Sequence, residues 1–253
     1  MKILLGGALG RMGQEVTAAA AEAQVEIVCG VDVAYTGQPS DYPIVTAFDQ
    51  ATQKADVLID FSRPSALPEL LQLARKEKMP TVLCTTGYNE AELQMIEEAS
   101  REIPVFRSAN MSLGVNVLRH LVQEAARALG EDFDVEIVER HHRMKADSPS
   151  GTALMLYDSV KEATETLRQP VFGRYGRTAQ RQPGEVGIHA VRGGTITGEH
   201  EVCFYGDGEE LILTHRAEKR SLFARGALRA AAFLMDKPAG KYDMQDLIEE
   251  MLR

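Results

Sequence analysis

A short apolar run, Lys2-Ile3-Leu4-Leu5, breaks into Gly6-Gly7-Ala8-Leu9-Gly10-Arg11-Met12-Gly13, and an alanine-rich stretch of helical spacing follows at once. This junction constrains the chain more than any other segment. Gly7, Gly10 and Gly13 supply what a dinucleotide loop needs: a tight turn, a bare backbone against the pyrophosphate, and a close packing point of helix on strand. A helix opening there aims its free N–H groups at phosphate. The strict G-x-G-x-x-G is not met, because position 8 is Ala, and glycines also end strands for backbone reasons alone. The context favours the ligand reading, since the loop follows a strand and opens a helix in the first βαβ unit.

The pattern then repeats. Val25–Val31, Val57–Asp60, Thr81–Cys84 and Val105–Phe106 are short apolar runs, and Arg11–Ala23, Ser65–Lys78 and Glu90–Arg101 have helical spacing. Unbroken apolar runs alternating with helices predict a parallel sheet covered on both faces. Asp32 ends the second run about 20 residues past the glycines, where an acidic side chain accepts from the adenosine ribose hydroxyls. A strand-end Asp also caps turns. Val33 follows in place of a cation, which favours NADH over NADPH. Two further loops at strand ends, Cys84-Thr85-Thr86-Gly87 and Ser108-Ala109-Asn110-Met111, offer hydroxyl and amide groups for the nicotinamide side, or ordinary turn chemistry.

After the helical pattern Gly114–Leu129, stopped by Gly130, the texture changes. Phe133–Glu139 alternates, with Phe133, Val135, Ile137 and Glu139 on one face. A helix is predicted over Thr152–Leu167, a polar segment over Arg168–Glu185, and strands over Val186–Val191, Thr195–Tyr205 and Leu211–Arg216, the last two joined by a Gly206-Asp207-Gly208 hairpin turn. Helices Leu222–Met235 and Met244–Leu252 close the chain. The fold class is therefore α/β: a Rossmann-type parallel-sheet domain with an inserted α+β domain. The boundaries are 1–112 plus 222–253, and 113–221. Leftover apolar strand faces in the inserted domain suit subunit packing.

With 37 acidic against 28 basic residues, the chain is a poor general binder of nucleic acid or anionic membrane. No apolar run reaches the length of a membrane span, and the N-terminus lacks a signal-peptide core. Cys29, Cys84 and Cys203 are odd in number and far apart, as expected of reduced thiols in a cytosolic protein.

The densest chemistry lies in Glu139-Arg140-His141-His142-Arg143-Met144-Lys145-Ala146-Asp147-Ser148-Pro149-Ser150-Gly151-Thr152-Ala153. Cations cluster here in an acidic chain, and Ser150-Gly151-Thr152 opens a helix whose N–H groups make a carboxylate or phosphate seat. Such a pair suits a substrate with two carboxylates, and a histidine supplies a proton near neutral pH. A solvated charged loop with Ser150 as N-cap explains the same letters. Zinc is disfavoured, since adjacent histidines point apart on a strand and no third ligand has metal-motif spacing. Tyr157 and Lys161 match the Tyr-x-x-x-Lys pair of short-chain dehydrogenases, but Met12 breaks that family's glycine spacing. No role is assigned to Arg192-Gly193-Gly194 or Gly198-Glu199-His200.

Taken together, these segments resemble the 4-hydroxy-tetrahydrodipicolinate (dihydrodipicolinate) reductase family. The resemblance covers essentially the whole chain. It rests on Gly7-x-x-Gly10-Arg11-Met12-Gly13, Asp60-Phe61-Ser62-Arg63-Pro64, Thr85-Thr86-Gly87, Ala109-Asn110-Met111-Ser112-x-Gly114-Val115-Asn116, and above all Glu139-x-His141-His142-Arg143-x-Lys145-x-Asp147-x-Pro149-Ser150-Gly151-Thr152-Ala153. It implies NADH- or NADPH-dependent reduction of a cyclic unsaturated imine dicarboxylate in diaminopimelate and lysine biosynthesis, by a cytoplasmic homotetramer without a metal. His141 would be the proton donor/acceptor and Lys145 the second proton donor. His142 would contact a substrate carboxylate, and Gly151 and Thr152 the other end. Gly7, Ala8, Leu9, Gly10, Arg11 and Met12 would hold the pyrophosphate and Asp32 the ribose. Cys84, Thr85, Thr86, Ser108, Ala109, Asn110 and Met111 would line the nicotinamide side. Ser148, Cys84 and Met111 depart from the family's usual Ala, Gly and aromatic residue. The rival readings are an NAD-sensing binding protein without turnover, and a reductase of the same fold for another dicarboxylate.

Overall fold

Strands buried on both faces must present apolar side chains in both directions, and the N-terminal strands do so residue by residue. In the computed structural model, which describes residues 1–164 and 168–252, Ile3 and Leu5 of β1 (Lys2–Gly6) join one core while Leu4 joins the other. Val57 and Ile59 of β4 (Val57–Asp60) and Leu58 between them divide in the same way. With β2 (Glu26–Val31), β3 (Ile44–Val45), β5 (Thr81–Leu83), β6 (Pro104–Arg107) and β12 (Gly240–Tyr242) these strands form one sheet in the order β12-β6-β5-β4-β1-β2-β3. Every pairing is parallel. The strand order reverses direction at β1, so a crevice opens between the loops after β1 and β4, the usual ligand position of such sheets.

Two sets of helices cover this sheet. On one face α1 (Arg11–Glu22), α6 (Ser221–Leu234) and α7 (Met244–Leu252) contribute Val16, Ala19, Ala20, Ala224, Ala227, Ala230, Ala231, Leu234, Leu247 and Ile248. On the other, α2 (Leu67–Glu77) and α3 (Glu90–Ser100) contribute Leu67, Leu70, Leu71, Ala74, Ile96 and Ala99. The alanine-rich faces of α1 and α6 let helix and sheet approach closely. Helix α3 starts where a capping box demands it: Asn89 accepts from the Glu92 N–H at 2.9 Å and Glu92 accepts from the Asn89 N–H at 2.8 Å.

The chain divides into two compact units, Met1–Leu113 with Arg220–Arg253, and Gly114–Lys219. The second holds a five-stranded mixed sheet, ordered β11-β10-β7-β9-β8, built from β7 (Asp134–His141), β8 (Gln169–Val171), β9 (Glu185–Arg192), β10 (Gly198–Tyr205) and β11 (Glu210–Ala217). Helices α4 (Leu113–Leu129) and α5 (Gly151–Ala163) cover one face, packing Leu118, Val122, Leu156 and Val160 against Val135, Ile137, Ile188, Val202 and Phe204. The opposite face is largely charged. Glu136 takes Arg174 at 2.9 Å, Arg181 and His189, and Arg140 lies 2.9 Å from Glu201.

Three strands are missing from the sequence expectation. β3, β8 and β12 are two or three residues long, too short for any period to register, and exist because an existing strand edge pairs with them. β10 begins at Gly198 rather than Thr195, since Thr197 is held by a hydroxyl bond to the Glu218 carbonyl. The predicted helix over Thr152–Leu167 is α5, whose last residue is Ala163; residues 165–167 lie outside the described residues.

Candidate active site

The first unit brings its candidate residues together at the carboxyl edge of the sheet. Gly6 ends β1, and Gly7 has φ +73°, a left-handed conformation that a side chain disfavours. A Cβ on Gly7 would meet the Phe61 carbonyl oxygen at 2.6 Å, and one on Gly13 the Gly7 carbonyl oxygen at 2.2 Å. Gly10 is the N-cap of α1 with no side chain covering the helix's first amides. The loop over Gly7–Gly10 is therefore a bare-backbone cradle in front of a helix start, and it fits a dinucleotide pyrophosphate. Asp32 follows β2 and reaches this loop: its carboxylate accepts from the Leu9 N–H at 2.9 Å and from the Ala34 N–H at 2.9 Å. Val33 is largely exposed beside it, with no cation of its own.

The loops after β4, β5 and β6 stand along the same edge. Asp60 is buried, accepts from the Thr85 hydroxyl at 2.7 Å and the Ser62 N–H at 3.1 Å, and is pushed up by desolvation despite those bonds. Thr85 thus turns its hydroxyl inward. Cys84 and Met111 are likewise core side chains, so what these three positions offer a ligand is backbone. The Cys84 and Met111 side chains, the two departures among them from the residues the resemblance leads one to expect, thus face the core. Ser108 donates to the Asn110 carbonyl at 3.0 Å, and Asn110 accepts from the Ser112 N–H at 2.9 Å, which shapes the turn after β6. Thr86 and Ala109 are exposed.

In the second unit the alternation of β7 does the placing. Val135 and Ile137 enter the core, and the same face continues into Glu139 and His141. The strand register aligns Ala190, Glu139, His200 and His215 in one row across the sheet, and Arg192 with His141 in the next. The inner face thus changes from apolar to polar at one level, where Ser150 begins α5. Ser150 accepts from the Ala153 N–H at 3.1 Å as N-cap, and its hydroxyl lies 2.9 Å from His200 Nε2. Glu139 has no exposed surface. It takes both Arg192 nitrogens at 2.7 Å, the Ser150 N–H at 3.0 Å and His141 Nδ1 at 2.6 Å. Burial pushes this carboxyl up, but the Arg192 fork and His141 outweigh it and hold it below the usual range.

Burial holds the His141 imidazole below its ordinary value, against the opposing pull of Glu139, and nearby Lys145 and Arg192 add to the depression. His200 stands edge-on to His141, ring centroids 5.2 Å apart, and burial first, His141 second, brings it down to about 3. Lys145 pairs with Asp147 at 2.9 Å. His142 follows the strand, its N–H bonded to the Ile196 carbonyl at 2.8 Å, and it does not share the inward face of His141. Gly151 is exposed at the start of α5 with Thr152 behind it, and the Ala153 N–H of the same turn is capped by Ser150. The strand-end residues left without a role thus belong to this cluster: Arg192 clamps Glu139, and His200 reaches Ser150. Continuing the inward alternation of their strands past Ile188 and Val202 is the signal that finds them. Tyr157 buries its ring in the core and donates to the Arg168 carbonyl at 2.8 Å, a structural role. Among the described residues, no group of three or more His, Cys, Asp or Glu side chains is arranged to hold a metal ion, and no helix is long and apolar enough to cross a membrane.

Comparison with known proteins gives three findings. Residues 1–111 match the family model for the N-terminus of dihydrodipicolinate reductase, and residues 114–248 the model for its C-terminus. The chain is 49% identical over 251 residues to a 4-hydroxy-tetrahydrodipicolinate reductase of Caldanaerobacter subterraneus subsp. tengcongensis, covering 99% of each. It is 44% identical over 249 residues to that of Clostridium tetani, covering 98% of this chain and 97% of the relative. Its fold is that of a dipicolinate-bound dihydrodipicolinate reductase from Paenisporosarcina sp. TG-14, with TM-score 0.78 at 22% identity over 96% of this chain and 97% of that one. A myo-inositol dehydrogenase from Corynebacterium glutamicum shares the architecture more distantly, with TM-score 0.61 at 15% identity over 100% of this chain and 93% of that one.

Proposed function

The chain belongs to the 4-hydroxy-tetrahydrodipicolinate (dihydrodipicolinate) reductase family, and from that premise we infer that it reduces 4-hydroxy-tetrahydrodipicolinate to tetrahydrodipicolinate in diaminopimelate and lysine biosynthesis. It is an oxidoreductase that uses a nicotinamide cofactor. The observation that carries the reading at the level of chemistry is the buried Glu139–His141 pair, at 2.6 Å, beside the N-terminus of α5.

When bound, the reduced nicotinamide supplies a hydride to the unsaturated imine. The chain does the rest. Gly7, Ala8, Leu9, Gly10, Arg11 and Met12 hold the pyrophosphate and Asp32 the ribose, with Val33 favouring NADH. The backbone of Cys84, Thr85, Thr86, Ser108, Ala109, Asn110 and Met111 lines the nicotinamide side. His142 binds one substrate carboxylate, and Gly151 with Thr152 binds the other, where N–H groups and the positive end of α5 favour an anion. Hydride arrival leaves a carbanion-like enamine, and His141 donates a proton to it, with Lys145 as second donor. Loss of water from the hydroxy substrate completes the balance. Residues 1–112 with 222–253 are the dinucleotide domain, and 113–221 the substrate and tetramerisation domain of a cytoplasmic homotetramer.

The test is oxidation of NADH, then NADPH, with the unstable substrate generated in situ from pyruvate and aspartate semialdehyde by its synthase. Oxidation that requires the synthase product, faster with NADH, is the expected result. Folded protein that binds NADH and turns over neither cofactor overturns the reaction and leaves an NAD-sensing protein; turnover only with another dicarboxylate points to a different substrate. Light scattering behind size exclusion tests the tetramer.

A further inference from the structure

Behind His141 lies a carboxylate with more donors than its neighbours need for packing. Glu139 accepts from Arg192 Nη2 and the Ser150 N–H on Oε1, and from Arg192 Nη1 on Oε2, where His141 Nδ1 also lies at 2.6 Å. A carboxylate has about four lone-pair positions, and four contacts use them here. A guanidinium fork occupying both oxygens leaves no place for an acid proton, so Glu139 is ionised. The contact to His141 must then be donated by Nδ1–H, because an anion has nothing to give. Resting on the reaction inferred above, we propose that Glu139 is a positioning residue: it locks His141 in the Nδ1–H tautomer and makes Nε2 the atom that delivers the proton.

The surroundings of Nε2 agree. Position 198 on β10 faces it and is glycine; a Cβ there would stand 3.0 Å from Nε2. A side chain at 198 would therefore crowd the Nε2 edge of the ring, while the Nδ1 edge is tied down by Glu139. The charged and titratable groups facing the imidazole come from each neighbouring element: Glu139 on its own strand, Arg192 on β9, His200 on β10, His215 beyond it on β11, and Lys145 on the loop that follows β7. Glu139 is the anion among them that touches the ring. It therefore also favours the imidazolium, against the opposing effects of burial, Lys145 and Arg192.

Two measurements test this. In the first, histidine-labelled wild-type protein is followed by nitrogen NMR above the His141 titration, with the His141 signal identified by its loss in His141→Gln. The Nδ1–H, Nε2-bare form is expected; the opposite tautomer overturns the proposal, and this arm needs no turnover and uses His141→Gln only to assign the signal. In the second, Glu139→Gln and Glu139→Asp are compared over pH. Removing the negative charge lowers the imidazole's proton affinity, so the basic limb of kcat/KM moves to lower pH in Glu139→Gln, and its plateau falls about 10²-fold, the scale of a lost acid–base group. Glu139→Asp keeps the charge and shifts the limb less. Equal losses in both variants with an unmoved limb, in protein whose NADH affinity is intact, mean that Glu139 only packs, and the proposal fails. Absence of turnover in the wild type instead removes the reaction, while the tautomer remains decided by the first arm.

Discussion

Replacing Gly13 by Ala tests the cofactor loop most sharply, because the structure fixes the size of the effect. Gly13 lies in the first turn of α1, and its added Cβ would stand 2.2 Å from the Gly7 carbonyl oxygen, 2.5 Å from the Ala8 carbonyl oxygen and 2.7 Å from the Ala8 carbonyl carbon. A carbon and a carbonyl oxygen approach comfortably to about 3.3 Å. The loop and the helix must therefore part by about 1 Å. All three obstacles are backbone, so no side chain can swing aside. Overpacking of this kind costs about 1–3 kcal/mol. A displacement of about 1 Å in a positioning element costs up to about 10²-fold in function, and NADH affinity should fall on that scale. Gly10→Ala is the control. Its Cβ meets only the Gly7 carbonyl oxygen, at 3.2 Å, and its φ of −68° suits any residue. Stability should drop by less than about 1 kcal/mol, while a methyl set against the pyrophosphate still weakens NADH. Urea unfolding and fluorescence titration with NADH separate the two. Wild-type stability and affinity in Gly13→Ala would refute the packing argument, and wild-type affinity in Gly10→Ala would remove the loop as the pyrophosphate seat.

His141→Gln should lower kcat by about 10²-fold or more with NADH binding retained, and steady-state kinetics beside a binding titration check both. Ser150→Ala removes the cap of α5 and the partner of His200 Nε2, so urea unfolding should show a loss above the roughly 1 kcal/mol of an ordinary N-cap. The fold favours neutral His200: its native value, about 3, lies below the unfolded one, so the native state binds fewer protons. Its contribution is fully present above about pH 6.5 and is lost at up to roughly 1.4 kcal/mol per pH unit as pH falls towards about 3. Unfolding midpoints of His200→Gln should fall less steeply with acid than those of the wild type; parallel curves would contradict the assignment.

The first sheet was readable because its strands carry their own burial pattern and its glycines mark the loop. What could not be read was contact made by pairing alone. β3, β8 and β12 have no pattern of their own. Asp32 was legible as an acceptor at the end of β2, yet its bond to the Leu9 N–H depends on how the loop folds back. The histidine segment was legible as a cluster of catalytic residue types. How it is assembled was not, since Arg192 is 53 residues from Glu139 in sequence and meets it through the parallel pairing of β7 with β9. Cys84 and Met111 looked like changes at the ligand and proved to be core side chains, a distinction that only the direction of a side chain reveals.

The first unit is discontinuous, and that has a consequence for how the chain is made. One face of its sheet is sealed by Ala224, Ala227, Ala230, Ala231, Leu234, Leu247 and Ile248, which leave the ribosome after the whole of the inserted unit. Until then Ile3, Leu5, Val57, Ile59, Val82 and Phe106 have only α1 to shelter them, while the inserted unit already owns both of its helices. Synthesis therefore finishes the later-encoded sheet first and leaves the nucleotide-type sheet half-clothed for more than a hundred residues of elongation. Slower translation, or a factor that shields nascent chains, would act at that uncovered face.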